Sequence, residues 1–350
     1  MRSLLNFSIF LVILAVGCCG DDSKDPTCVP LEGYRVCHYK TVLVEVTQTS
    51  SEKRLDIEDL DLLAIRENAF KNLSVKTLSL SKGNKISVLK RESFQGLGQL
   101  KRLDLDSNVV GLSENLFAEL EHLESLYLMF NKINDIPDRS FAGLSNLIFL
   151  YLSNNDIPSI RKDSLKGLSN LAYLWLNDNK ITKIEPNAFG ELQELDRLHL
   201  DQNLLSNLNA GTFNGLKRLD ALFLNNNLLT NLPANCFQGL TRLKTLFLQK
   251  NDISAIDGEA FAGLTRLEEL DLKGNQLMRI SAPTFRGLSK LRVLDLSRME
   301  IEQIEPNTFH DLTSLRDLIF IGNNITVIDR SSTGLDSSVN IRTSGHISFE

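Results

Sequence analysis

Asparagine recurs along this chain at a fixed period, and that period limits what the chain can become. The series is Asn84, Asn108, Asn131, Asn155, Asn179, Asn203, Asn227, Asn251, Asn275 and Asn323. Its step is 24 residues, with one 23-residue step from Asn108 to Asn131 and one gap, at Met299. Upstream of each asparagine runs L-x-x-L-x-L, as in Leu195, Leu198 and Leu200. Downstream come apolar residues at plus two and plus five, a Phe at plus ten and a Leu at plus thirteen. The Phe series is Phe70, Phe94, Phe117, Phe141, Phe189, Phe213, Phe237, Phe261, Phe285 and Phe309, with Leu165 as its substitute. A unit this short cannot enclose its own apolar face, so successive units must stack and share one continuous core.

Each repeated residue type has a physical task. L-x-L is a short strand whose leucines point one way and whose central residue points the other. Stacked coils join these strands into a parallel sheet. The asparagine ends the strand inside a turn, where its amide can both donate to and accept from buried backbone groups. The Phe fills the opposite side as a spine. Counting L-x-L units predicts about twelve strands, the first at 55–57 and the last at 318–320. Residues 41–46 (TVLVEV) alternate like one more strand ahead of them. After Asn323 the pattern fades: Ile325 and Ile328 persist, Thr333 stands where a Phe belongs, and a final strand is expected near 339–341. The expected organisation is a signal peptide at 1–20, an N-terminal cap at 21–51, repeats at 52–330 and a C-terminal cap or tail at 331–350.

Arg2, an apolar run over 9–16 and small residues after it read as a secretory signal, cleaved after Gly17 or Gly20. The run is too short to span a membrane, and the tail RTSGHISFE is too polar for a lipid-anchor signal. A secreted protein without a membrane anchor is expected. The net charge of -6 with no Lys/Arg block gives no electrostatic case for nucleic acid. Of the five cysteines, Cys18 and Cys19 fall at the cleavage region and Cys28 and Cys37 are expected to pair. That short loop contributes roughly 2–3 kcal/mol by restricting the unfolded chain. Cys236 is odd, which opens a dimer through an intermolecular bond. It also occupies a position, just before the Phe, that is nearly always small (Ala69, Ser93, Ser140, Thr212, Ala260), where cysteine serves as a buried small hydrophobe. The C-terminal end is a second route to a dimer.

The repeats resemble the typical class of extracellular leucine-rich repeat proteins of animals. The pattern LxxLxLxxNxIxxIxxxxFxxLxx is nearly verbatim at 171–194, and at 147–170 apart from Leu165. The resemblance covers about residues 52–330. It implies an α/β solenoid, a leucine-rich repeat horseshoe with a parallel concave sheet and an irregular or 3-10 convex side, and it implies a binding role. The cap CVPLEGYRVCHYKTVLVEV is similar to the start of insect secreted leucine-rich repeat immune proteins, which implies innate immune recognition. The chain departs from such proteins in having no cysteine-rich C-terminal cap and no heptad tail.

Specificity on such a scaffold resides in the outward residues of each strand. The residue between the two leucines runs Ser79, Asp104, Tyr127, Tyr151, Trp175, His199, Phe223, Phe247, Asp271, Asp295, Ile319. Six consecutive members carry rings, with Phe130, Phe149 and Tyr173 at neighbouring outward positions. At about 4.8 Å per strand the stripe is roughly 24 Å long. Aromatics suit sheets and stack on one another, but this stripe is central and rimmed by Asp178, Arg197, Asp201, Gln202, Asn225 and Asn226. An apolar patch with a polar rim is the signature of a binding face. The candidate partner-binding residues are Tyr127, Phe149, Tyr151, Tyr173, Trp175, His199, Phe223 and Phe247, and the partner is an extracellular peptide, protein loop or glycan. Beyond the stripe, Glu268, Glu269, Asp271 and Asp295 make an acidic end. Asn72 and Asn324 open N-glycosylation sequons away from the stripe. No metal spacing, nucleophile motif or cofactor fingerprint occurs among the residues, so neither enzyme activity nor a cofactor is expected. The alternative is an extracellular matrix or adhesion protein acting by self-association.

Overall fold

The computed structural model describes residues 25–344 and 348–349, so the signal-peptide expectation and Cys18 and Cys19 lie outside the described residues. The chain packs as two compact units. One runs to Ile157 and includes Asp163–Leu171; the other comprises Pro158–Lys162 and the residues from Ala172 onward.

The first unit opens with an antiparallel sheet of Thr27–Leu31, Tyr34–Tyr39 and Val42–Gln48. Cys28 and Cys37 face each other in its register and form a disulfide. Val36, Leu43 and Val46 are buried, and Val42–Gln48 pairs in parallel with Ala64–Ile65, which ties this sheet to the first coil. Tyr34, buried at its edge, donates its hydroxyl to Glu52 O at 2.6 Å. The coils then supply parallel strands Arg54–Asp56, Thr77–Ser79, Arg102–Asp104, Ser125–Tyr127 and Phe149–Tyr151 in sequence order.

The second unit continues the scheme with eight strands. They are Tyr173–Trp175, Arg197–His199, Ala221–Phe223, Thr245–Phe247, Glu269–Asp271, Val293–Asp295, Asp317–Ile319 and Asn340–Arg342, all parallel to their neighbours. Five and eight make thirteen such strands among the described residues, where counting L-x-L units predicts about twelve. The thirteenth strand, Asn340–Arg342, falls where a final strand near 339–341 is expected and sets Ile341 beside Leu318 without a leucine pair. The other side of each coil is turns, two 3-10 turns and short two-stranded pairs such as Asn231–Leu232 with Ala255–Ile256. Among the described residues the α content is the single turn Arg330–Thr333, capped by Asp329 and ended by left-handed Gly334.

The core follows the period. Every strand-centre leucine is buried, and the Phe spine stacks at 5.6–6.3 Å between centroids in the first unit and 5.9–6.5 Å in the second. The buried asparagines thread each turn. Asn203 Nδ2 donates to Leu176 O (2.9 Å) and Leu200 O (3.1 Å), and its Oδ1 accepts from Ile181 N (3.0 Å). Asn227, Asn251 and Asn275 repeat the arrangement. The gap at Met299 is tolerated because the amides on either side serve the same carbonyls: Asn275 Nδ2 reaches Leu272 O (2.7 Å) and Asn323 Nδ2 reaches Leu296 O (2.9 Å). The residue just before the asparagine adopts the left-handed conformation, as at Asn154, Asp178, Gln202, Asn226 and Lys250, with glycine taking the place at Gly274.

Cys236 is unpaired and buried, and its Sγ donates to Ala260 O at 3.8 Å. Burial pushes the thiol up to about 12, leaving almost no thiolate at neutral pH, and only the thiolate is nucleophilic. The dimer route through Cys236 is therefore closed in the folded state, and the small-hydrophobe role is what the packing shows. We expect iodoacetamide to leave Cys236 unmodified in the native protein and to modify it fully in guanidinium, read by peptide mass mapping; native modification at the denatured rate contradicts this burial.

Candidate functional site

Strand alternation puts the leucines inside, so the residue between them faces outward. In the second unit this places Trp175, His199, Phe223 and Phe247 in direct register on adjacent parallel strands. Their rings stack: Trp175 on His199 at 5.6 Å, His199 on Phe223 at 4.0 Å and Phe223 on Phe247 at 5.0 Å, with planes within 25°. Tyr173, two residues before Trp175, lies 6.0 Å from the indole. All five rings are half-buried, with each stacked face covered by its neighbour. Each stacked pair adds about 0.5–1.5 kcal/mol beyond its buried area, so the ladder is rigid before any ligand arrives.

The first unit carries its own aromatic group. Tyr127 and Tyr151 stack at 4.4 Å, and the Arg102 guanidinium sits 4.1 Å above the Tyr127 ring. Burial, with Tyr127 acting in the same direction, pushes the Tyr151 hydroxyl up to about 12. Phe149 is half-buried on the same strand, and Phe130, in a left-handed turn, is 55% exposed. The eight candidate residues thus fall as Tyr127, Phe149 and Tyr151 in one unit and Tyr173, Trp175, His199, Phe223 and Phe247 in the other. Asn72 and Asn324 are both exposed, and the sequon hydroxyl of Ser74 is held by Gln48 and Lys53.

Three polar features of these faces escape the aromatic pattern. Arg102 is one, and its outward position beside the leucine is the signal that marks it. The second is a pair of buried acceptor oxygens without a hydrogen-bond donor among the described residues, Asp201 Oδ1 and Gln249 Oε1. Asp201 Oδ1 is 3.5 Å from His199 Nδ1, too long for a good hydrogen bond, and the two side chains are 16% and 22% exposed. Both acceptors sit two residues after a ladder ring.

The third feature is Asp106 in the first unit. Its Oδ1 accepts Met129 N–H at 2.6 Å and its own N–H donates to Asp104. Burial pushes its carboxyl up to about 6 against that hydrogen bond, and Asp104 adds to the rise. The folded value lies above the unfolded one, so the native state holds the extra proton between about pH 4 and pH 6 and stability falls as pH rises through that window. Asp106→Asn keeps an acceptor for Met129 and removes the charge. We expect it to raise stability by about 1 kcal/mol at pH 7.4, after allowing for solvent screening, and to change little at pH 4. Urea melts at both pH values check this; destabilisation at pH 7.4 contradicts it.

No helix among the described residues is long and apolar enough to cross a membrane. The sequence pattern described as "Leucine rich repeat" matches residues 53–110, 108–157, 121–181, 150–205, 193–253, 218–277, 241–301, 271–325 and 289–341. Epiphycan from Mus musculus is 38% identical over 63 residues, which is 18% of this chain and 20% of epiphycan. The chain in the solved structure titled "Crystal structure of TLR13-ssRNA13 complex" superposes with a TM-score of 0.69 at 25% identity, over 84% of this chain and 47% of that one. The chain thus spans about a fifth of the curated relative and about half of the solved one.

Proposed function

Because the chain belongs to the leucine-rich repeat family, we propose that it is a secreted binding protein whose stacked ring ladder, Trp175–His199–Phe223–Phe247 with Tyr173, anchors an extracellular partner. The observation that carries the reading is the ladder itself: four rings in register, already stacked, on the outward face of a parallel sheet. A rigid half-buried aromatic surface loses little entropy on binding and offers the residue types that dominate interface energetics. The Tyr127–Tyr151 pair with Phe149 is a second such surface on the first unit. Secretion is supported by the Cys28–Cys37 disulfide, which persists in oxidising compartments. A role in innate immune recognition is supported by the likeness to the TLR13 chain and by the insect-like cap.

That neighbour's title describes an RNA complex, and bases do stack on aromatic ladders. An RNA strand also needs cations along its phosphates, whereas the ladder here runs into Asp271 and Asp295. A protein or glycan partner fits better. Self-association as a matrix protein finds no covalent route through Cys236, which is buried.

The test is parallel capture from the extracellular fluid of the source organism on the wild type and on a Trp175→Ala, Phe223→Ala, Phe247→Ala variant of matching circular dichroism. A partner held by the wild type and lost by the variant is expected. A partner held equally by both moves binding away from the ladder.

A further inference from the structure

We propose that the occupant of the second unit's ladder is an extended peptide segment that places a Lys or Arg over Asp271 and Asp295, two or three residues from an aromatic or aliphatic side chain lying on Phe247. This rests on the ladder reading and adds the chemistry of the partner.

The strand register puts Asp271 beside Phe247 and Asp295 beside Asp271, so the column of rings continues directly into two carboxylates on neighbouring strands. Like charges side by side on a sheet repel. Backbone amides hold one oxygen of each: Asp271 Oδ1 accepts from Lys273 N (2.9 Å) and Asp295 Oδ1 from Ser297 N (2.8 Å). Among the described residues neither carboxylate takes part in an ion pair. Three residues before that column the charges behave oppositely: Asp220 pairs with Lys244 and Glu268 with Arg292 at 3.0 Å. Arg342, the next member of the column after Ile319, pairs with Asp317 at 2.9 Å. Those flanking charges are paired within the protein, while Asp271 and Asp295 take part in no ion pair among the described residues and Lys273 acts on Asp271 only as a nearby charge. Burial raises the Asp271 carboxyl and the Asp295 charge adds to the rise, while the Lys273 backbone N–H and the Lys273 charge act the other way.

The surface thus offers a column of rings that runs into two carboxylates, neither in an ion pair among the described residues. An anionic ligand is repelled, and a neutral glycan leaves the carboxylates uncompensated. An extended peptide supplies the cation from a Lys or Arg and an apolar side chain to lie on the rings. The spacing follows from geometry: the carboxylates lie one and two strands from Phe247, about 5–10 Å, and an extended chain rises about 3.4 Å per residue.

The probe is a library of short randomised peptides displayed on phage and selected on the full chain, with affinities of the selected peptides then measured on purified variants. Peptides carrying Lys or Arg two or three residues from an aromatic or aliphatic residue are expected. Their affinity should fall at least about tenfold on Asp271→Asn/Asp295→Asn, whose amides keep the backbone hydrogen bonds, and should weaken with added salt. Selected peptides without a basic excess, or with affinity unchanged on that variant, overturn the inference; if they still lose binding to the Trp175→Ala, Phe223→Ala, Phe247→Ala variant, the ladder reading stands alone. Peptides that bind the ladder variant as tightly as the wild type overturn the ladder reading itself. A selection that enriches nothing overturns the peptide class.

Discussion

Asn203→Ala is expected to lower the stability of the protein by about 2–4 kcal/mol, and Asn203→Asp by more. The amide of Asn203 donates to Leu176 O, Leu200 O and Asp201 O and accepts from Ile181 N, all within the buried turn. Two of those carbonyls keep another donor, since Asn179 also reaches Leu176 O and Asn227 also reaches Leu200 O. Ile181 N–H loses the acceptor it has, and an unsatisfied buried donor costs about 1–3 kcal/mol, to which the lost packing adds. Aspartate keeps the acceptor but faces three carbonyl oxygens with no hydrogen to give, so it must bury either a repelled charge or a raised-pKa acid. Denaturant unfolding of the three proteins reads the order. Aspartate as stable as asparagine at neutral pH would show that the amide hydrogens are not what the turn needs.

The ladder variant should lose at least about 100-fold in partner affinity while remaining folded. Truncating a well-packed Trp or Phe at the centre of an interface costs about 2 kcal/mol or more, and three such rings stand in one column. Stability should fall far less than for equivalent core truncations, because Trp175, Phe223 and Phe247 are only half-buried whereas spine residues such as Phe237 are fully enclosed. Arg197→Ala is the matched control: the side chain is exposed on the same strand as His199 and outside the ring column. Its removal should change affinity less than about threefold. Equal losses for the control and the ladder variant would mean a surface without a focus.

Much of this was legible in the residues because each repeated type answers a local demand. Leucine alternation, the asparagine in the turn and the Phe spine all recur in register, and Leu165 fills its place in the spine fully buried. The central column of rings was equally legible, since strand alternation alone decides which way Trp175 points. What escaped depended on contacts that no period encodes. A short capped helix ending in buried Thr333 stands where the Phe is missing. The left-handed turn residue before each asparagine had a faint signal in Gly83, Gly274 and Gly322, which share that position with Asp178 and Asn226. The idle oxygens of Asp201 and Gln249 had none, because donor and acceptor counting needs side-chain geometry.

The central claim is that the partner lies on the ladder, and Trp175 reports on it directly because it is the chain's single tryptophan. A titration of the purified protein with a selected peptide lacking tryptophan, followed by indole emission and in parallel by calorimetry, is the decisive measurement. The account predicts a change in Trp175 emission that saturates at the calorimetric midpoint. Saturated binding with the emission unmoved would place the partner elsewhere.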